Sequence, residues 1–366
     1  MNPSELHQAI QQLNLMDIPK YQHDFNFISA TIGKLRPDLS FEEQMNCARE
    51  SAFFQIQASR DEADMDIISQ VPRPAIDFHG KIIVTFHYSS YRLFISCLIA
   101  WGIRFKLVAD NNFITNQGDQ ATESYDRIAE HFKADLPELE IINAETRTVI
   151  LKCKEALKDG FALVFYADGN SGVGGMTRDN SNMVKIPFLD HSIYVRKGIV
   201  TLASIIQAPI TTVLLDRDIW NNEFSFDIRE NIPFPINRKN EDEIRVCNQA
   251  LFSVLEQHLK TKPGPWEGWF YYHNFVDFDE FDTPTATERK CTDSLFNHLG
   301  FGVGVMAGNF YYILNKQTLR LVPISKEVFE NLNTVIRENR ITEKLPLYDS
   351  LFNQGILLAS NPEPGH

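Results

Sequence analysis

Between residues 77 and 275 the chain alternates short, β-branched apolar runs with helix-patterned segments about ten to fifteen residues long. Residues 82–86, 103–109, 139–143, 161–166 and 210–216 read as strands, with 224–228 and 269–272 as further candidates. Helices are expected over 91–101, 121–134, 146–158, 194–207 and 240–260. Such alternation builds βαβ units, whose right-handed crossovers produce a mainly parallel sheet covered on both faces. The expected class is therefore α/β, with a mixed, mainly parallel sheet flanked by helices.

The run Lys81-Ile-Ile-Val-Thr-Phe-His-Tyr-Ser-Ser-Tyr-Arg92 delivers one histidine, His87, to a polar turn between a strand and a helix. A side chain at the carboxyl end of a parallel strand stands at the crevice where α/β folds place chemistry. A lone histidine there also reads as a surface residue closing a strand, so the downstream chain decides. The strand 161–166 has its own polar end, Asp168-Gly-Asn-Ser-Gly-Val-Gly-Gly175. This run lacks both the GK[ST] ending and a correctly spaced GxGxxG, which argues against a nucleotide-phosphate loop.

Residues 1–76 are expected to form a helical N-terminal cap, with Ser40 and Glu43 as a capping box. Residues 77–280 form the α/β core, and an acidic, proline-punctuated linker follows it. In 295–366 three short strands (301–307, 310–314, 319–323) precede a helix capped by Ser325 and a second near 348–353, the layout of a winged-helix-like module.

Composition excludes several classes. With 43% hydrophobic and 23% charged residues the chain has the make-up of an ordinary globular protein. Its apolar runs are too short to cross a bilayer, and no basic-then-apolar secretory signal opens it. Five scattered cysteines without metal-type spacing suggest buried, reduced thiols and a cytoplasmic location. A net charge of −13 argues against nucleic acid as a partner. The histidines show no metal-ligand spacing, so no metal or cofactor is expected.

Taken in order, strand–His87–helix, Ala109-Asp-Asn-Asn112, Tyr166-Ala-Asp-Gly169 and Pro265…Trp269-Phe-Tyr-Tyr-His273 resemble the landmarks of the bacterial lipid A late acyltransferases, of the lysophospholipid acyltransferase superfamily. The resemblance covers roughly residues 30–275. It implies transfer of a fatty acyl chain from an acyl carrier protein or coenzyme A thioester, with His87 as general base. It also implies an acyl tunnel, expected between the sheet and residues 1–75, with His273 near its entry.

The sequence departs from that pattern in three places. The carboxylate five residues beyond the histidine, which would hold its tautomer, is replaced by Arg92. The family's arginine before Asn111 is missing, and Asp168-Gly169 stands in place of Asp-Gln. Three outcomes are open: Asp168 orients His87; a backbone carbonyl or the hydroxyl of Ser89 or Ser90 does so; or the fold is retained only for binding. Arg92 becomes a candidate substrate or oxyanion group. Ser89, Ser90, Asn111, Arg196 and His273 are candidate substrate contacts. Arg178, Lys185, Arg196 and Lys197 could meet a phosphopantetheine phosphate, or simply form a solvated face. The departures point to an amine or hydroxyl of a peptide or natural-product precursor as acceptor. The alternatives are a catalytically retired fold that binds a peptide or a carrier, and an acyl thioesterase.

The stretch Phe310-Tyr-Tyr-Ile-Leu-Asn-Lys-Gln-Thr…Leu-Val-Pro-Ile-Ser-Lys-Glu-Val-Phe…Leu-Phe-Asn-Gln-Gly-Ile-Leu-Leu358 resembles the small winged-helix peptide-recognition domain of ribosomal peptide maturation, the pyrroloquinoline-quinone chaperone type. That resemblance implies a peptide partner adding a strand to an exposed sheet edge. A C-terminal extension packed on the sheet is the competing reading.

Overall fold

The computed structural model describes residues 2–13, 15–16, 19–169, 181–279, 294–306, 309–341 and 348–358. The chain opens with helices α1 (Pro3–Gln11), α2 (Pro19–Leu35), α3 (Phe41–Asp61) and α4 (Met65–Gln70). There follow β1 (Ile82–Thr85), α5 (Tyr91–Ala100), β2 (Phe105–Ala109), α6 (Asn111–Phe132), β3 (Ile141–Asn143), α7 (Val149–Lys158) and β4 (Ala162–Tyr166). Next come β5 (Met183–Phe188), β6 (His191–Arg196), α8 (Gly198–Ile206), β7 (Ile210–Asp218), β8 (Glu223–Ile232) and α9 (Glu241–Thr261). The last elements are β9 (Phe301–Met306), β10 (Phe310–Asn315), β11 (Arg320–Pro323), α10 (Lys326–Glu338) and α11 (Tyr348–Asn353).

Two compact units emerge, one of Met1–Gln11 with Glu50–Phe275, the other of Gln12–Arg49 with Val276–His366. The first is built on a six-stranded sheet in the order β3-β2-β4-β1-β7-β8. Its strands run parallel except β8, which pairs antiparallel with β7. The α/β class expected from the alternation is what the chain adopts. β1 is central, and Ile82, Ile83 and Val84 are wholly buried, which is why it reads as a continuous apolar run rather than an alternating one. On one face Leu93, Phe94 and Leu98 of α5 pack with Phe105, Val164, Val213 and Leu215 of the sheet. Phe252 of α9 packs against Phe86, ring centroids 5.3 Å apart, and against Phe188 at 6.2 Å. Burying a side chain of this kind contributes about 1.5–3 kcal/mol.

Three expected elements differ. The helix expected over 194–207 is shorter, because 183–196 folds as the antiparallel hairpin β5–β6 and only Gly198–Ile206 is helical. Along β6 burial alternates, a period of two that the helix reading overlooked. The strand expected at 269–272 is instead two 3-10 turns, Glu267–Phe270 and Tyr272–Asn274. Finally, α6 begins ten residues before the expected start, because the Asp110 side chain caps it by accepting from Phe113 N at 2.8 Å.

In the second unit β9, β10 and β11 form an antiparallel sheet in the order β11-β10-β9. Residues 1–76 do not stand together as one cap. Helix α2 and residues 41–49 of α3 belong with the C-terminal strands, whereas α1, the rest of α3 and α4 belong with the large sheet. The ties are polar and distant in sequence: Asn26 Nδ2 donates to Val303 O and Gln22 Nε2 to Asn333 Oδ1, both at 2.8 Å. A Cβ on Gly302 would lie 2.3 Å from Asn26 Oδ1, so only glycine lets the strand approach this helix. The capping box formed as expected, with Ser40 N donating to Glu43 Oε2 at 2.7 Å. Ser325 Oγ likewise caps α10 through Val328 N at 3.3 Å. Cys47, Cys97, Cys153 and Cys247 are buried, and no disulfide joins them. The glycine run after Gly169, Arg178, Gly308, Cys291 and most of the expected linker lie outside the described residues. Among the described residues no helix is long and apolar enough to cross a membrane.

Candidate active site

Thr85 of β1 stands opposite Tyr166 of β4 in the parallel ladder. Two residues beyond each, past the carboxyl ends of the strands, are His87 and Asp168. Their side chains meet: Nδ1 of His87 lies 2.9 Å from Oδ1 of Asp168. The His87 backbone N–H also donates to both carboxylate oxygens, at 3.1 and 3.0 Å. The indole N–H of Trp266 donates to Oδ2 at 2.7 Å. The Asp168 side chain is fully buried, and that of His87 is 20% exposed.

This geometry puts the neutral imidazole's proton on Nδ1, facing the carboxylate, and leaves the lone pair on Nε2. Among the described residues nothing hydrogen-bonds Nε2. Burial pushes the His87 pKa down, but the charge and hydrogen bond of Asp168, helped by Glu267, outweigh it. The result lies above the ordinary 6.5. Of the two ways open for orienting His87, the structure adopts the carboxylate one.

Two tyrosine rings wall the imidazole. Tyr91 stands edge-on with centroids 4.7 Å apart, and Tyr166 lies tilted against it at 4.6 Å. The Tyr91 hydroxyl donates to Glu267 Oε2 at 2.8 Å and accepts from Arg92 Nε at 3.1 Å. Arg92 also reaches Glu62, Nη1 to Oε1, at 3.4 Å. Its guanidinium is therefore engaged by the tyrosine and Glu62, not by the dyad carboxylate. Burial and the Glu267 charge raise the Tyr91 pKa far above its ordinary value, so this hydroxyl keeps its proton.

The turn that presents His87 is fixed by chain segments far away in sequence. Ser89 has φ 55°, a left-handed conformation unusual for a residue with a side chain. Its N–H donates to Pro265 O at 3.0 Å, and Glu267 N donates to His87 O at 2.9 Å. Between these bonds Tyr88 and Trp266 form a β-bridge. Ser89 Oγ accepts from Arg217 N at 3.1 Å. Ser90 donates its hydroxyl to the buried Asp61, which also accepts from Gln57 Nε2 at 2.6 Å and pairs with Arg217. Both serine hydroxyls are thus buried and hydrogen-bonded to the scaffold.

The remaining candidates are dispersed. Asn111 is exposed at the start of α6, its Oδ1 accepting from Asn143 Nδ2 at 3.4 Å, and it does not hydrogen-bond to the dyad. His273 sits half-buried in the second 3-10 turn. Arg196 closes β6, donating from Nη1 to Gly169 O at 2.8 Å. Lys197 is paired with Glu241 at 2.9 Å.

Trp266 was missed as a site residue, although it lies inside the aromatic stretch from Pro265 to His273. Its partner Gly268 is the better signal, because a Cβ there would lie 2.2 Å from the Trp266 ring. Asp61 and Arg217 left no local pattern at all.

Two cavities bounded by described residues differ in size and place. One, of about 10 Å³, lies beside Ala167, Gly169 and Arg196 and has room for about one water molecule. The other, an open groove of about 370 Å³, is lined by Phe234, Ile236, Val246 and Cys247. It follows the end of β8 opposite Ile210, at the amino edge of the parallel strands, whereas His87 is at their carboxyl edge. Neither of these two is lined by residues 1–75, where the acyl tunnel is expected. Among the described residues no cluster of histidine, cysteine and carboxylate side chains could hold a metal ion.

Fold and site together define an α/β protein carrying an imidazole–carboxylate pair at the carboxyl edge of its parallel strands. Set beside protein-family models and curated proteins, the chain matches none of them.

Proposed function

We propose that this protein is an acyltransferase that moves a fatty acyl group from a carrier-protein or coenzyme A thioester to an amine or hydroxyl. The observation that carries the reading is the His87–Asp168 pair, with Nδ1 tied to a buried carboxylate and Nε2 without a hydrogen-bond partner among the described residues. Nε2 takes the proton of the incoming amine or hydroxyl as that atom attacks the thioester carbonyl. Asp168 stabilises the imidazolium so formed. Collapse of the tetrahedral intermediate breaks the C–S bond, and the imidazolium returns its proton to the departing thiolate. Arg92 acts indirectly, holding the Tyr91 hydroxyl beside the imidazole. A peptide or natural-product precursor is the acceptor, and the C-terminal unit recognises it. Supporting this last point, β11 pairs only with β10 among the described residues, and Val322 on it is 53% exposed.

The test is to incubate the chain with acyl carrier protein and coenzyme A thioesters, with and without amine-bearing peptides, and follow products by mass spectrometry. Transfer that disappears in a folded His87→Ala variant supports the proposal. Hydrolysis without transfer would make the protein a thioesterase, and neither reaction would leave a binding protein. An unchanged rate in His87→Ala would remove the dyad from the chemistry.

A further inference from the structure

Arg196 is only half used by its neighbours. Its Nη1 donates to Gly169 O at 2.8 Å, and its guanidinium lies 5.6 Å over the Phe275 ring. Nε and Nη2 are buried, yet neither has a hydrogen-bond partner, and among the described residues no carboxylate forms an ion pair with this side chain. A buried cation left this way is costly until an anion meets it. Burial depresses the Arg196 pKa.

The unused atoms are not an arbitrary pair. Nε–H and Nη2–H lie on one edge of the planar guanidinium and point the same way, the fork that grips two oxygens of a carboxylate or phosphoryl group. Arg196 lines the small cavity with Ala167, Gly169, Met183, Tyr272 and Phe275. Ala167 and Gly169 flank Asp168 in the chain, and Tyr272 contacts Trp266 with ring centroids 4.5 Å apart. Arg196 therefore stands next to the shell that holds the dyad carboxylate. Of the other cations considered from the sequence, Lys197 is already engaged by Glu241.

We propose that the Nε/Nη2 edge of Arg196 is a subsite for an oxyanion group presenting two oxygens, a phosphoryl or a carboxylate, carried by the substrate. Its assignment to substrate rests on the acyl-transfer reading, whereas anion binding itself does not. The void has room for only about one water, so an arriving group has to shift a wall. Met183, unbranched and adaptable, is the wall best able to yield.

The subsite is tested on the full chain by thermal unfolding with inorganic phosphate or acetate against chloride at equal ionic strength. The wild type is expected to gain about 2 °C or more, and folded Arg196→Lys and Arg196→Gln variants to gain nothing. As a second measurement, the Arg196 Nε–H resonance of the wild type should shift on adding phosphate. No gain in the wild type, or equal gains in the variants together with an unmoved resonance, would overturn the subsite. The source of the anion is read from kinetics. In Arg196→Lys a KM raised tenfold or more for the coenzyme A thioester, but not for an N-acetylcysteamine thioester, assigns the phosphoryl of the donor. A KM raised only for a carboxylate-bearing acceptor assigns the acceptor. Phosphate binding lost in the variants of a chain that transfers no acyl group would keep the anion site and discard the transferase.

Discussion

The indole N–H of Trp266 reaches Oδ2 of Asp168 at 2.7 Å while Oδ1 of the same carboxylate faces His87. One carboxylate is thereby held from two sides, and the donor that fixes it comes from a segment whose backbone is also bonded to the His87 turn. A hydrogen bond to a charged group contributes about 1.5–3 kcal/mol. Trp266→Phe removes that donor and leaves a partial cavity, so an unfolding free energy lower by about 3 kcal/mol is expected by urea titration. If the proposed acyl transfer holds, it should fall further than stability explains, because the carboxylate loses its side-chain donor at Oδ2 and is left to the His87 ring and backbone N–H alone.

Asp168→Asn should lower the His87 pKa, since the carboxylate is what lifts it against burial. NMR titration of the imidazole checks this. In the wild type the raised pKa means that His87 stabilises the fold below about pH 6.5, and that this contribution fades as pH rises through the folded-state value. The variant should lose that slope. A general base must be neutral, so the wild-type rate should climb with pH on a limb lying above 6.5. In Asp168→Asn the rate should drop about 10²–10⁴-fold, from a lost tautomer as much as a lost charge. An acidic limb unmoved by the substitution would contradict the assignment.

Gly268→Ala places a Cβ 2.2 Å from the Trp266 ring, and no flexible side-chain end is available to give way. Overpacking of this sort costs about 1–3 kcal/mol. Because the displaced atom group is the indole that holds Asp168, the neutral His87 should shift from the Nδ1–H tautomer towards a mixture, a change visible in its nitrogen chemical shifts.

Asp61 and Arg217 are buried, with side chains 1% and 5% exposed. Asp61→Ala strands the guanidinium and should cost about 3–5 kcal/mol in chemical denaturation. The double variant Asp61→Ala with Arg217→Met removes both charges and should recover more than half of that loss. Failure to recover would mean that the pair serves chiefly through Ser90 and the His87 turn.

The legible parts of this molecule were those written locally. β-branched runs such as Ile82-Ile-Val announced the sheet, and Ser40 with Glu43 announced a helix start, because each depends on residues within a few positions. His87 and Asp168 were legible as strand-end polar residues, and their pairing follows from two strands lying side by side. The hairpin at 183–196 was read as part of a helix because the apolar run 199–206, truly helical, was extended backwards over an alternating pattern. Arg92 was placed near the catalytic chemistry by its spacing from His87, but one step along a helix turned it towards Tyr91 and Glu62. Trp266, Asp61 and Arg217 act across 98, 29 and 128 residues of separation from Asp168, Ser90 and Ser89, distances over which sequence patterns carry no information.

Thr85 faces Tyr166, and the two partners of the dyad each stand two steps further on. The site is thus a readout of alignment: were β4 to dock one position out of step, its alternating side chains would swap faces and the acid would point away from the base. The His87–Asp168 contact would then vanish from a molecule whose secondary structure content looked intact, which makes the imidazole's titration a stricter gauge of correct assembly than circular dichroism.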